Sequence, residues 1–300
     1  PFYEATLAYD SSAVTSKLHK LIYQQLFGNQ LRATILKDTK WTNAEFDSVA
    51  WDLHSTVFSS LSRYKQITMV KYLHGLWNVG AQKVLYGTDT DGLCPCCASH
   101  LETMDHVFQC PDSITRSHRE ALFVKLENYL IKIRTPNPIV LCMMSGLRWW
   151  TLAENLTPVH PIPATAGIIR PENWLATTAF SAQTSLGWDQ FLRGRLTTKW
   201  LSAYQFLQKG ADAVPASQLW GRSVIRKLLE VSMEIWKHRN GTLHGNTLEE
   251  SKLLKRERLH KQVTEAYASY TSNAAIIPIT SKYLFRRQLD TRLKADDQYL

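Results

Sequence analysis

The sequence predicts a mostly α-helical protein. Apolar residues recur at helical spacing through nearly every long segment, no run alternates with strand periodicity, and a compact cysteine and histidine cluster interrupts the helices near residue 100. The expected architecture is a helical domain carrying a small inserted zinc-binding loop, followed by a second, basic helical domain. Boundaries are placed at 1–156 for the first domain, with its motif at 94–110, at 157–172 for a Pro-rich linker containing Pro158, Pro161, Pro163 and Pro171, and at 173–300 for the C-terminal domain.

The elements follow in order. Leu18, Leu21, Ile22, Leu26 and Leu31 mark a helix over about 16–37. Asn43 is suited to cap a second, in which Val49, Leu53, Val57 and Leu61 repeat every four residues. A third spans about 66–86 with Met69, Leu73, Leu76 and Trp77, and ends in the turn-forming run 87–92. After the cluster, helices are expected over 113–133 and 139–150, then over 183–209, 216–239, 248–270 and 281–294. Thr247 and Glu250 form a capping box that fixes the start of the 248–270 helix. Trp188, Trp200, Tyr204, Trp220 and Trp236 fall among helical apolar positions and read as core, as does Cys142.

The chain of 300 residues carries 35 Lys and Arg against 26 Asp and Glu. The excess is uneven: residues 1–180 hold 16 basic and 15 acidic side chains, residues 181–300 hold 19 and 11. A basic half of this kind is the footprint expected of a polyanion partner, RNA or DNA above all. Three basic runs compose it: Arg193, Arg195 and Lys199; Lys252, Lys255, Arg256, Arg258 and Lys261; and Arg286 and Arg287 with Arg292 and Lys294. No uncharged apolar run is long enough to span a bilayer. The first residues, Pro-Phe-Tyr-Glu-Ala, form no signal sequence and suggest a segment of a longer protein.

Four of the five cysteines, Cys94, Cys96, Cys97 and Cys110, fall within seventeen residues. A long, cysteine-poor chain without a signal sequence points to an intracellular, reducing compartment and to thiolates on a metal. Cys94 and Cys97 form a C-x-x-C pair, and His106 and Cys110 lie one helical turn apart. Together they make a closed Cys₃His set for one structural Zn²⁺, with no open position for a reacting water. The spacing also admits Cys96 in place of Cys97 and His100 in place of His106. Glu102, Thr103 and Asp105 suit the first turn of a helix beginning just before His106.

Leu73-His-Gly75, Cys94-Pro-Cys96-Cys97, Glu102-Thr103, His106-Val-Phe108 and Cys110 resemble the reverse transcriptase zinc-binding domain, which follows the polymerase in non-LTR retrotransposon proteins. The resemblance covers residues 47–112. It implies Cys94, Cys97, His106 and Cys110 as zinc ligands, a role in binding template RNA or target DNA, and an upstream reverse transcriptase domain as partner. Three further segments, 183–188, 191–195 and 236–240, resemble the tails of retroelement-derived reading frames. The Tyr-x-Asp-Asp turn of a polymerase palm is missing from the sequence, and Asp296-Asp297 lies in a polar tail. The run 8–12, Ala-Tyr-Asp-Ser-Ser, echoes the first Asp of a ribonuclease H, but no set of acidic partners follows. Catalysis is therefore not expected of this chain, with one alternative. Arg239-Asn240 followed by His244 is similar to the motif of HEPN ribonucleases, in which Arg and His act on the phosphate and the ribose 2′-OH without metal. The bland reading has Arg239-Asn240-Gly241 ending a helix.

Overall fold

A computed structural model describes residues 8–9, 12–13, 18–88, 91–152, 171–208, 213–273 and 279–294. Among them the protein is mostly α, as the periodicity predicts. The exceptions are a two-residue antiparallel pair, β1 (Ala8–Tyr9) with β2 (Ser12–Ala13), and two isolated bridges. None of these helices is long and apolar enough to cross a membrane.

The chain divides into two compact units, residues 1–74 with 125–230 and residues 75–124 with 231–300. This division differs from the boundary expected at 157–172, most of which lies outside the described residues. The helices on either side of that stretch, α8 (Asn137–Thr151) and α9 (Pro171–Leu186), pack on each other inside unit one. A Cβ on Gly146 of α8 would lie 1.9 Å from the ring of Trp188, so only glycine admits that indole.

Several expected helices are broken at points that periodicity does not register. The second expected helix becomes α2 (Asn43–Asp47) and α3 (Trp51–Ser59). Thr42, not Asn43, caps α2, in a reciprocal box with Glu45; Asn43 instead accepts from Arg32. The break at 48–50 arises because Val49 pairs with Thr197 and the Ala50 N–H donates to the Leu196 carbonyl at 2.8 Å. The third becomes α4 (Arg63–Leu73) and α5 (Gly80–Leu85). The expected 183–209 helix becomes the end of α9, α10 (Trp188–Leu192) and α11 (Thr198–Gln208), interrupted where Gly187 and Gly194 take φ of 103° and 75°.

Unit one is held by aromatic and aliphatic burial. Trp188 and Trp200 are buried, Trp220 stacks on Tyr204 at 4.5 Å, and the indole N–H of Trp220 donates to Thr135 Oγ1. These are the core roles expected for them, each worth about 2–3 kcal/mol of transfer free energy. Gln183 Oε1 accepts from the Thr197 N–H and its Nε2 donates to the Arg195 carbonyl, pinning segment 193–197 against α9. Cys142 is buried in α8, where burial pushes its thiol up to about 12.

Helices α7 (Ser113–Lys132) and α12 (Ala213–His244) contribute residues to both units. In unit two, Trp77 stacks on Trp236 at 4.3 Å and against Phe108 at 6.3 Å. The Thr247 and Glu250 box starts α13 (Leu248–Asn273) where the sequence places it. A 3₁₀ turn at Ile279–Phe285 and α14 (Leu289–Leu293) replace the expected 281–294 helix. The Phe285 ring of that turn stacks on Tyr270 of α13, and the Tyr267 hydroxyl donates to the Arg287 carbonyl.

Charge redistributes with the units. Unit one holds 20 Lys and Arg against 12 Asp and Glu, unit two 15 against 14. The excess that looks C-terminal along the sequence belongs to unit one in the fold.

Candidate metal centre

The centre lies in unit two and begins with a hairpin-like turn. Leu93 pairs with Leu101, and the Cys94 N–H donates to the His100 carbonyl at 2.9 Å. Between them the chain folds tightly: the Ala98 N–H returns to the Cys94 carbonyl at 2.8 Å, Ala98 has φ of 51°, and the Cys96 N–H points at Cys94 Sγ at 3.4 Å. Gly80 and Gly92 let this turn seat against the start of α5, since a Cβ on Gly80 would lie 2.0 Å from the Gly92 carbonyl oxygen. The second pair comes from α6 (Met104–Gln109), capped by Thr103, whose hydroxyl accepts from the His106 N–H. His106 projects from its first turn, and Cys110 follows its last residue.

The ligand atoms of Cys94, Cys97, His106 and Cys110 all lie within 4.8 Å of one another. Cys94 Sγ is 3.8 Å from Cys110 Sγ, and Cys97 Sγ is 3.4 Å from His106 Nε2. All five cysteines are free thiols. These four residues, the ones the spacing selects, can hold a metal ion. The two substitutes stand outside the group. Cys96 bonds to Cys94 and toward Thr115 and Thr242, and His100 bonds to Ser99 Oγ at 2.8 Å, lies 3.8 Å from Cys97 Sγ and stacks on His106, so both border the four without joining them. Burial alone would raise the Cys97 thiol, but hydrogen bonds from Ser99 and His100 outweigh it and hold it down to about 5. Cys110 is pushed up, chiefly by burial. Metal binding replaces these thiol protons, so occupancy falls as pH falls.

Glu102 has a part that sequence spacing does not give it. It precedes the Thr103 cap, and its carboxylate is taken by groups outside α6. Fully buried, it accepts from Arg239 Nε at 2.6 Å, from a terminal Arg239 nitrogen at 2.5 Å, and from the Gly80 N–H at 2.7 Å. Its backbone joins Gly92 and Ala81. One carboxylate thus ties the metal-binding turn, α5 and α12 together. A bidentate arginine pair of this kind is strongly destabilising to break, because either partner alone is a buried, uncompensated charge.

The same contact disposes of the ribonuclease geometry. Arg239 is buried, paired with Glu102, bonded to Asn240 and laid over the Trp236 ring, while His244 is exposed at the last position of α12. The guanidinium has no opening toward a phosphate. Helix α12 also runs through Arg239, Asn240 and Gly241 to His244, so these residues do not end it. The Asn246 side chain lies over Gly241.

The basic residues are unevenly placed. Arg195 is buried and Arg193 is half-buried beside Asp189, both donating to the Leu73 carbonyl, which withdraws them from the outer surface where a nucleic-acid backbone would lie. Lys199, Lys252, Lys255, Arg256, Lys261, Arg286 and Arg287 are exposed. The Arg258 side chain and Asp296-Asp297 lie outside the described residues. Lys252 and Lys261 face Glu249 and Glu265 one turn away on α13. Compared with known proteins, the chain matches no family model, no curated protein and no solved structure.

Proposed function

We propose that this chain is a non-catalytic, zinc-stabilised nucleic-acid-binding region of a retroelement-derived reverse transcriptase protein, as the resemblance of its cysteine and histidine segment suggests. The observation that carries the reading is the convergence of Cys94, Cys97, His106 and Cys110 on one point. A tetrahedral Zn²⁺, with bonds of about 2.3 Å to sulfur and about 2.0 Å to nitrogen, separates two sulfurs by about 3.8 Å and a sulfur and a nitrogen by about 3.5 Å. The separations of 3.8 Å and 3.4 Å fit that ion. With four protein ligands it supplies folding free energy and no open position for chemistry. An intracellular, reducing compartment keeps such thiols available.

Phosphate contact falls to the exposed cations of unit two, Lys255 and Arg256 on α13 and Arg286 and Arg287 beside it, with template RNA or target DNA as partner and the polymerase as an upstream domain. Fluorescence anisotropy with a single-stranded RNA and a DNA duplex, from about 50 to 200 mM salt, tests this. Binding should weaken steeply with salt. A Lys255→Glu, Arg256→Glu variant should bind more weakly, with a log–log slope shallower by about two. Binding that ignores salt or this variant would overturn the reading.

A further inference from the structure

Unit one contains a cavity of about 590 Å³ between α1 (Leu18–Thr39), α3 and the end of α4, lined among others by Arg32, Phe46, Trp51, His54, Phe58 and Arg195. That volume is in the range of small-molecule sites. Its wall combines two aromatic rings, Phe46 and Trp51, whose centres lie 4.8 Å apart and whose planes are tilted by 33°, with a buried guanidinium, Arg195, that has no ion-pair partner among the described residues. Arg195 is 5% exposed, and the groups holding it, Gln190 Oε1 and the Leu73 carbonyl, are neutral. It lies 5.7 Å and 5.9 Å from the Trp41 and Trp51 ring centres. The two acids whose fields reach Arg195, Asp189 and Asp38, make no ion pair with it: Asp189 pairs with Arg193, and Arg32 on the cavity wall is taken by Asp47. His54 adds no charge: its Nε2–H donates to the Arg193 carbonyl, and burial holds the ring down to about 4. Buried charges in proteins are paired or engage a ligand.

We propose that this cavity is a binding site for a small organic anion, whose carboxylate or phosphate meets the Arg195 guanidinium while a flat apolar body packs against Phe46, Trp51 and Phe58. The site is independent of the metal centre and of any nucleic-acid role. Arg195 is well suited, since two of its five N–H groups are committed and a guanidinium fork matches an oxyanion.

Ligand-observed NMR titration of the whole chain with 1-naphthoate, 1-naphthyl phosphate and neutral 1-naphthamide tests the assignment. At least one anion should bind saturably and at least about tenfold more tightly than the amide, the discrimination a charge-assisted contact gives; the tighter of the two identifies the headgroup. Ser55→Glu, a change at an exposed rim position of α3, should weaken the anion about tenfold or more, whereas Ser55→Gln should not. Arg195→Met should reduce the anion to the affinity of the amide, and if that variant does not fold, Ser55→Glu decides. No saturable anion binding, equal binding of the amide, or anion binding indifferent to Ser55→Glu would each overturn the proposal.

Discussion

Unit one closes over Trp188, Trp200 and Trp220, large rings buried among α8, α9, α11 and α12. Unit two makes its metal-binding turn from residues 91–110, where buried apolar side chains are few and the chain is fixed by backbone bridges and one buried carboxylate beside four side chains that can hold a metal ion. Both units are helical and both bury aromatic side chains, but the metal-binding turn of unit two adds polar cross-links gathered at a point. Burial spreads stability over many residues, so a single core truncation costs about 2–5 kcal/mol but leaves most of the core in place. Cross-links concentrate it in a handful.

The predictions sharpen this contrast, from the largest effect down. Stripping the metal with a chelator should destabilise unit two by an amount on the order of 10 kcal/mol. Hydrogen exchange should then rise across α5, α6 and the 91–103 turn while α8, α9 and α11 stay protected; uniform loss in both units would erase the distinction. Next is the buried pair. Glu102→Ala or Arg239→Ala should each cost about 3–5 kcal/mol, while Glu102→Leu with Arg239→Met should cost much less than the sum, a coupling that denaturant unfolding of the four variants measures.

The third prediction concerns pH in unit one. The His54 ring titrates near 6.5 when unfolded and near 4 when buried, so the folded state disfavours its charged form. Its contribution is complete above about pH 6.5 and is lost as pH falls toward 4, amounting to about 3 kcal/mol. His54→Gln, which keeps an N–H for the Arg193 carbonyl, should flatten that part of the stability profile. Smallest is Gly146→Ala, which forces a methyl against Trp188 and should cost about 1–3 kcal/mol in unit one without changing metal content.

What was legible in the sequence follows the range of the interactions. Cys94, Cys97, His106 and Cys110 could be named because their spacing is local: a tight turn and one turn of helix bring each pair together. The same holds for the Thr247 and Glu250 box. Glu102 and Arg239 are separated by 137 positions, and nothing in either neighbourhood announces the other. Glu102 and Thr103 read in the sequence as residues of a helix's first turn, and only the fold separates them into one residue for a buried pair and the next for a cap. Arg193 and Arg195 show the opposite error. On a helical wheel they read as a basic face, but the positive φ of Gly194 turns the chain inward and both side chains reach the Leu73 carbonyl. Charge counted along the chain misled for the same reason, since the units interleave segments distant in sequence.

The central claim is that unit two is organised by one zinc ion on four protein ligands, and elemental analysis of the whole chain purified without added metal tests it most directly. The account predicts one equivalent of zinc in the wild type and loss of that zinc in Cys110→Ser. Less than about half an equivalent of zinc in a folded wild-type sample, with α5, α6 and the 91–103 turn fully protected from exchange, would contradict it.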